Sequence, residues 1–230
     1  MEPDIAANIN LIRQRIAVAC ARCGRDPHSV KLMAVTKTVP EERILQAVDA
    51  GITLLGENYV QEAREKYDLL NGRAQLHLIG HLQTNKAKYA VHLFNYIHSV
   101  DRWELASELD KRASLANHHL NILIEVNVSG EQTKNGIPSA EASSLIKQIV
   151  PLSNLTISGL MTMAPYSDNP ETSRPYFQVL RNLRNDIARE GIPGVQMEEL
   201  SMGMTDDFEV AIEEGATIVR IGRAIFGERQ

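Results

Sequence analysis

Cysteine is scarce in this chain: two in 230 residues, standing three positions apart at Cys20 and Cys23, so no disulfide framework can staple the fold. The C-x-x-C spacing invites a redox or zinc reading. Structural zinc takes four ligands, however, and no second Cys or His pair at metal spacing accompanies these two. His77 and His81 have helical ligand spacing only on paper, because Leu78-Ile79-Gly80 between them reads as a strand end. No metal is assigned, and the cysteines are read as reduced helix residues. Long apolar runs are also missing, so no segment spans a membrane. The start, Met1-Glu2-Pro3-Asp4, is acidic and leads into an amphipathic stretch rather than an apolar signal core, which points to a cytoplasmic protein. Dense basic clusters are absent, and 29 acidic against 24 basic side chains give a net charge of −5. Nucleic acid and anionic membrane are therefore excluded as partners. Low-complexity tracts and internal repeats are lacking, as is any glycine-rich dinucleotide turn after the first strand.

What the chain does have is alternation. An opening helical stripe, Ile5, Ile9, Ile12, Ile16, Ala19 and Cys23, stops at Gly24. After it, strand-like apolar runs and amphipathic helices follow one another. The expected strands are 30–37, 53–58, 75–80, 96–100, 120–128, 156–163, 198–204 and 218–226. About eight strands is the number that closes a parallel sheet into a barrel. An open doubly wound sheet would show the same alternation, but the strand count and the missing dinucleotide turn favour a single (β/α)8 barrel over residues 1–230, preceded by an extra N-terminal helix. Thr38 and Glu41 fit a capping box ahead of Ile44, Ala47 and Val48, with Gly51 closing that helix. Gly215 closes the helix of Phe208, Ala211 and Ile212. The face of Tyr176, Leu180 and Leu183 is expected in the core.

Chemistry is expected where strands end. Lys37 closes the apolar run from Lys31 and is followed at once by Thr38-Val39-Pro40, which places an amine at the carboxyl end of a buried strand. Such a lysine either points into water or condenses with an aldehyde. The seventh strand ends in Ser201-Met202-Gly203-Met204-Thr205, with Thr205 as expected N-cap of the next helix, and the eighth supplies Arg220-Ile221-Gly222-Arg223. Hydroxyls, glycines that let backbone approach a ligand, and a helix start suit a phosphate; ordinary loop and cap chemistry would look the same. Asp206 and Asp207 have to turn aside if a phosphate sits there. Arg220, flanked by Val219 and Ile221, faces the barrel interior if those two face the helices. Its partner there is either a carboxylate such as Glu125, which shares a strand face with Asn127, or the ring nitrogen of a cofactor.

The motifs Ala34-Val35-Thr36-Lys37, Gly56-Glu57-Asn58-Tyr59-Val60-Gln61-Glu62, His77 through Lys86, Gly159-Leu160-Met161, Leu200 through Asp207 and Val219-Arg220-Ile221-Gly222 resemble, in order and over nearly the whole chain, those of the pyridoxal-phosphate homeostasis proteins. That family is similar to the barrel domain of alanine racemase. The resemblance implies a barrel of that type holding pyridoxal 5'-phosphate (PLP), with Lys37 as internal aldimine. It further implies Ser201, Thr205, Gly222 and Arg223 around the phosphate, Arg220 at the pyridine nitrogen and Asn58 near the ring. His81 and Arg223 depart from the residues common in the family and sit where they would shape the mouth. Lys134 matches a family lysine and either steers phosphate or is merely solvated.

Lys37 must lose its proton to attack an aldehyde, against a reference pKa of about 10.4. A racemase needs a second base on the opposite cofactor face, supplied in the related enzymes through an additional domain. This chain ends at Gln230, shortly after the last strand, so weak catalysis or none is expected. The leading expectation is a monomeric carrier in PLP (vitamin B6) homeostasis and amino-acid balance, serving PLP-dependent apoenzymes or a regulatory protein. The alternatives are a PLP-dependent amino-acid racemase or lyase and a cofactor-free Schiff-base aldolase.

Overall fold

A computed structural model describes residues 4–228; the first three residues, Glu2 of the acidic start among them, and the last two residues lie outside it. Its strands are β1 (Lys31–Val35), β2 (Leu54–Glu57), β3 (Gln75–Leu78), β4 (Tyr96–Val100), β5 (Leu120–Asn127), the short β6 (Ile137–Pro138), β7 (Leu155–Met161), β8 (Val195–Ser201) and β9 (Ile218–Ile221). Nine α-helices lie among the described residues: α1 (Ile5–Arg22), α2 (Glu41–Asp49), α3 (Val60–Leu70), α4 (Ala87–Leu93), α5 (Trp103–Leu115), α6 (Ala142–Ile149), α7 (Arg174–Glu190), α8 (Phe208–Glu213) and α9 (Arg223–Phe226). The strands run β4-β3-β2-β1-β9-β8-β7-β5, all parallel, and a β4–β5 pairing joins the ends. The result is the expected closed eight-stranded barrel, with β6 pairing only along β5.

Strands buried on both faces read as near-continuous apolar runs, which is why they stood out. Their outward residues, among them Ala34, Leu55, Leu78, Ile97, Val219 and Ile221, join the helices in the main core. A separate apolar cluster of Met33, Val35, Ile79 and Ile218 lies inside the barrel. Gly56 leaves room for it: a Cβ there would stand 2.8 Å from Met33 Sδ. Arg220 is in register with Met33, so it faces inward while Val219 and Ile221 face the helices, as expected.

The opening helix buries Ile5, Ile9, Ile12, Ile16, Ala19 and Cys20, and Asp4 caps it by accepting from the Ala7 N–H at 3.0 Å. The stripe's last member is thus Cys20 rather than Cys23, which is exposed. At 100° per residue position 23 would share the face of Ile16, but the helix ends at Arg22 and Cys23 is its C-cap, with the non-helical φ −112° and ψ 11°, so its side chain leaves the stripe. The helix packs on α2, α8 and α9. In α7, Leu180 is buried and Tyr176 and Leu183 pack on the core.

Several boundaries move. The last strand stops at Ile221 and residues 223–226 turn helical. Met202 to Thr205 leave β8 as a loop in which Gly203 takes φ +90°. The expected capping box is not formed: Pro40 is the N-cap of α2 without a side-chain bond. Thr38 instead sits at φ 60° and donates its N–H to Glu62 Oε2 at 2.8 Å. The turn out of β1 has consumed that residue.

The ends of β2 and β3 are pressed together, because a Cβ on Gly80 would stand 2.3 Å from the Asn58 carbonyl oxygen. Backbone cannot yield as a side-chain tip can. Gly80→Ala is expected to cost about 2 kcal/mol or more in urea unfolding; a loss within about 0.5 kcal/mol would show that the two loops are not in contact.

Candidate functional site

The residue before Lys37 is pinned from three sides. Thr36 donates its N–H to Gly56 O at 3.0 Å and its hydroxyl to Glu57 Oε1 at 2.5 Å. Its carbonyl accepts from Lys66 Nζ at 2.7 Å. The same ammonium bonds Glu57 Oε1 at 2.7 Å and Glu62 Oε2 at 3.3 Å. Glu57 and Lys66 are buried. Burial pushes the Glu57 carboxyl up, against the hydrogen bonds from Lys66 and Thr36. Since Glu62 also holds Thr38, helix α3 fixes the chain on both sides of Lys37.

Lys37 lines a cavity of about 690 Å³ at the carboxyl ends of the strands. Asn58, Thr205, Arg220, Gly222 and Arg223 line it too, so six of the seven expected site residues meet there. Ser201 does not line it. Its side chain is buried beneath, where its Oγ lies 3.0 Å from His98 Nδ1 and accepts from Arg220 Nη1 at 2.8 Å. His81, Tyr166 and Asp206 complete the rim, which puts both family departures, His81 and Arg223, at the mouth. His81 Nδ1 is 4.0 Å from Asp101. A second cavity of about 470 Å³ adjoins through Asn58, Tyr59 and His81.

Arg220 is not bonded to Glu125, contrary to the carboxylate alternative. Its guanidinium donates to Ser201 O at 2.7 Å, Ser201 Oγ and Thr162 O at 2.8 Å. Burial pushes it down to about 10, opposed by Asp207 and Glu125, so it stays charged at neutral pH. Glu125 is driven up to about 7 by burial and then by Asp101, with Arg220 opposing. Asn127 turns away to hold the loop around Lys134, donating to Glu131 O at 2.9 Å. Lys134 stands 3.6 Å from Glu131.

The two loop glycines differ. A Cβ on Gly203 would strike Ala211 Cβ at 2.5 Å, so packing against α8 demands that glycine. On Gly222 it would meet only Val35 at 3.5 Å, an ordinary contact; nothing inside the protein requires glycine there. Thr205 is not the N-cap of α8. Asp207 is, and its Oδ1 accepts from the Met204 N–H at 2.7 Å, which leaves the Thr205 side chain to the cavity. Asp207 has turned aside as required, whereas Asp206 stays on the rim paired with Arg223.

Sequence reasoning missed His98, Thr162, Lys66 and Tyr166. A polar residue in the apolar run 96–100 was the available signal for His98. Burial drives His77 down to about 3 and, helped by His77 and Arg220, His98 well below the ordinary range. Both rings are neutral.

Fold and site together define a class: a closed parallel barrel whose strand-end lysine lines a cavity edged by a hydroxyl, an unencumbered glycine and guanidinium groups. Residues 5–230 match the family described as alanine racemase, N-terminal domain. A pyridoxal phosphate homeostasis protein of Aquifex aeolicus is 48% identical over 223 residues, 96% of this chain and 97% of its own. One from Escherichia coli is 39% identical over 231 residues, 98% of this chain and 97% of its own. PipY of Synechococcus elongatus, solved with PLP bound, gives a TM-score of 0.85 at 33% identity, covering 97% of this chain and 100% of that one. Alanine racemase of Clostridium difficile shares the fold, with a TM-score of 0.74 at 14% identity over 98% of this chain and 57% of that one. The chain belongs to the pyridoxal phosphate homeostasis family within the alanine racemase N-terminal domain group.

The buried titratable groups make stability pH-dependent in opposing directions. His77 and His98 have depressed folded values, so their contribution is present above about pH 6.5 and is lost as pH falls toward the folded values. Glu125 has a raised value: its folded form takes up a proton near pH 7, before the unfolded form does at about 4.3, and acidification through that window stabilises. Glu125→Gln removes only the second effect. Urea unfolding is expected to show a steeper loss between about pH 7 and pH 4.5 in that variant than in wild type; identical slopes would mean Glu125 ionises normally.

Proposed function

We propose that this chain binds PLP in the cavity at the barrel mouth, with Lys37 supplying the amine that condenses with the cofactor's aldehyde, and that it serves PLP homeostasis rather than turnover. The observation that carries the reading is the meeting of Lys37, Arg220, Thr205, Gly222 and Arg223 on one cavity. PLP, when bound, supplies a reactive aldehyde and an electron-withdrawing ring.

Each end of such a ligand has a counterpart. The Thr205 hydroxyl, the Gly222 backbone and the Arg223 guanidinium suit a phosphate, and a glycine that the protein's own packing does not require suits close approach by a ligand. Arg220 is charged and cannot give up its proton readily. Beside a pyridine nitrogen it keeps that nitrogen unprotonated and the ring a poor electron sink. Asn58, whose backbone Gly80 approaches closely, lines the same cavity.

Catalysis asks for a base facing the substrate. Tyr166 lines the cavity, but its hydroxyl donates to Asp168 at 2.9 Å, and that bond holds the phenol above its usual range. A phenol so protonated is a poor base at neutral pH. Tyr166 is thus unsuited to the base's role, which supports the carrier reading against a racemase or lyase that would use it. Transfer to PLP-dependent apoenzymes, a role in amino-acid balance, a monomeric state and a cytoplasmic location belong to the same proposal; no helix among the described residues is long and apolar enough to cross a membrane.

Incubation with PLP is expected to give a visible absorption band that borohydride converts to a stable adduct, mapped by peptide mass to Lys37. Lys37→Ala should lose the band. An adduct elsewhere, or none with excess PLP, overturns the site; amino-acid racemisation that scales with protein and vanishes in Lys37→Ala overturns the carrier role.

A further inference from the structure

A buried polar chain crosses the barrel interior, and the reading above gives it no work. His77 Nδ1 lies 3.0 Å from His98 Nε2, and His98 Nδ1 lies 3.0 Å from Ser201 Oγ. Arg220 Nη1 donates to that same oxygen at 2.8 Å. All four residues are buried, and Tyr96 stacks on the His77 ring with centroids 4.8 Å apart.

Counting protons fixes the direction of the chain. A serine hydroxyl has one proton and two lone pairs, and arginine can only donate. Arg220 therefore occupies a lone pair, and the Ser201 proton needs an acceptor. Among its hydrogen-bonding neighbours only His98 Nδ1 can take it. His98 is then the Nε2–H tautomer and donates to His77 Nδ1, leaving the His77 proton on Nε2, where no partner is found among the described residues. The reverse direction would strand two groups, the Ser201 proton and the His77 Nε2 lone pair. One stranded group is better than two. Charge agrees: in the first arrangement every N–H and O–H dipole turns its positive end away from the Arg220 cation, and both rings are neutral.

The guanidinium spends three donors on Ser201 O, Ser201 Oγ and Thr162 O. Its Nε–H and second Nη2–H donate to nothing among the described residues, and Arg220 lines the cavity. We infer that His98 and Ser201 are positioning residues for Arg220: the His77–His98–Ser201 chain holds the Ser201 hydroxyl as an acceptor, which sets the plane in which Arg220 presents its remaining donors to the cavity. Ser201 thereby moves from the phosphate group of residues, where it was expected, to the support of Arg220. The functional half of this inference rests on Arg220 meeting the ring nitrogen of PLP; the proton arrangement does not.

Two measurements separate those halves. Nitrogen-15 spectra of histidine-labelled full chain without PLP are expected to show His98 protonated at Nε2 and bare at Nδ1 from about pH 5 to about pH 9; a proton on Nδ1 overturns the chain's direction. PLP is then titrated by absorbance into wild type, Ser201→Ala, His98→Leu and His98→Asn, each checked for folding by circular dichroism. Ser201→Ala and His98→Leu should bind PLP about tenfold more weakly and shift the pH at which the cofactor band titrates. His98→Asn, which keeps an acceptor facing Ser201, should recover most of both. Affinities within about twofold of wild type and an unmoved pH profile in the first two variants overturn the positioning role, as does equal impairment of all three in step with lost thermal stability. Wild type that binds no PLP yet shows the expected tautomer overturns the cofactor reading and, with it, the positioning role, while the proton arrangement stands.

Discussion

The geometry of the barrel mouth depends on one buried ammonium. Lys66 has three N–H donors and finds three acceptors, the Thr36 carbonyl, Glu57 and Glu62. Burying an ion pair costs several kcal/mol per charge, recovered only when geometry and hydrogen bonding are complete. Completeness on the lysine side is what the structure provides, although one Glu57 oxygen has no partner among the described residues. The return is positional. Thr36 is tied to Lys66 and Thr38 to Glu62, so the backbone on either side of Lys37 is referenced to helix α3 rather than left to a free loop. A long flexible amine delivers its nitrogen reproducibly only if its backbone is held.

The outer layer of this fold was open to reading because its signal is local. Alternating strands and helices, and the inward turn of Arg220 between Val219 and Ile221, follow from periodicity within a few residues. The interior is different. Ser201 and His98 are 103 positions apart and Thr36 and Lys66 are 30, and no spacing rule joins them. Ser201 and Thr205 offered the same hydroxyl in the same motif, yet the strand ends at Ser201 and carries it inward, while the loop beyond carries Thr205 to the cavity. Gly203 and Gly222 looked equally like ligand cradles; one is needed for packing and the other is not. Thr38 and Thr205 both carried N-cap signals, and in each case a later residue took the cap because the chain was still turning out of its strand.

Two materials share the barrel's interior. Met33, Val35, Ile79 and Ile218 form an apolar plug, and beside it runs a polar chain ending on a cation. An apolar filling throughout would have been simpler and no less stable. A charged arginine buried within the barrel must have its carbonyl and hydroxyl acceptors placed by the strands, and neutral histidines can support those acceptors without adding charge. The interior thus reads as a mount for Arg220, built from residues on β3, β4, β8 and β9.

The rim is held by looser means, and that difference suits a ligand that must enter and leave. Arg223 pairs with Asp206, both side chains 44% exposed. An exposed pair of this kind contributes less than about 1 kcal/mol, so turning Arg223 from Asp206 toward a phosphate costs little. A phosphate carrying close to two negative charges offers a stronger partner than one carboxylate. Asp206 then faces the phosphate it was expected to repel, which sets a limit on how tightly this edge can grip. In the proposed reading the hold on PLP is divided accordingly: Lys37 and Arg220, fixed from within the barrel, determine where the ring sits, and the exposed pair at the mouth lets the phosphate go.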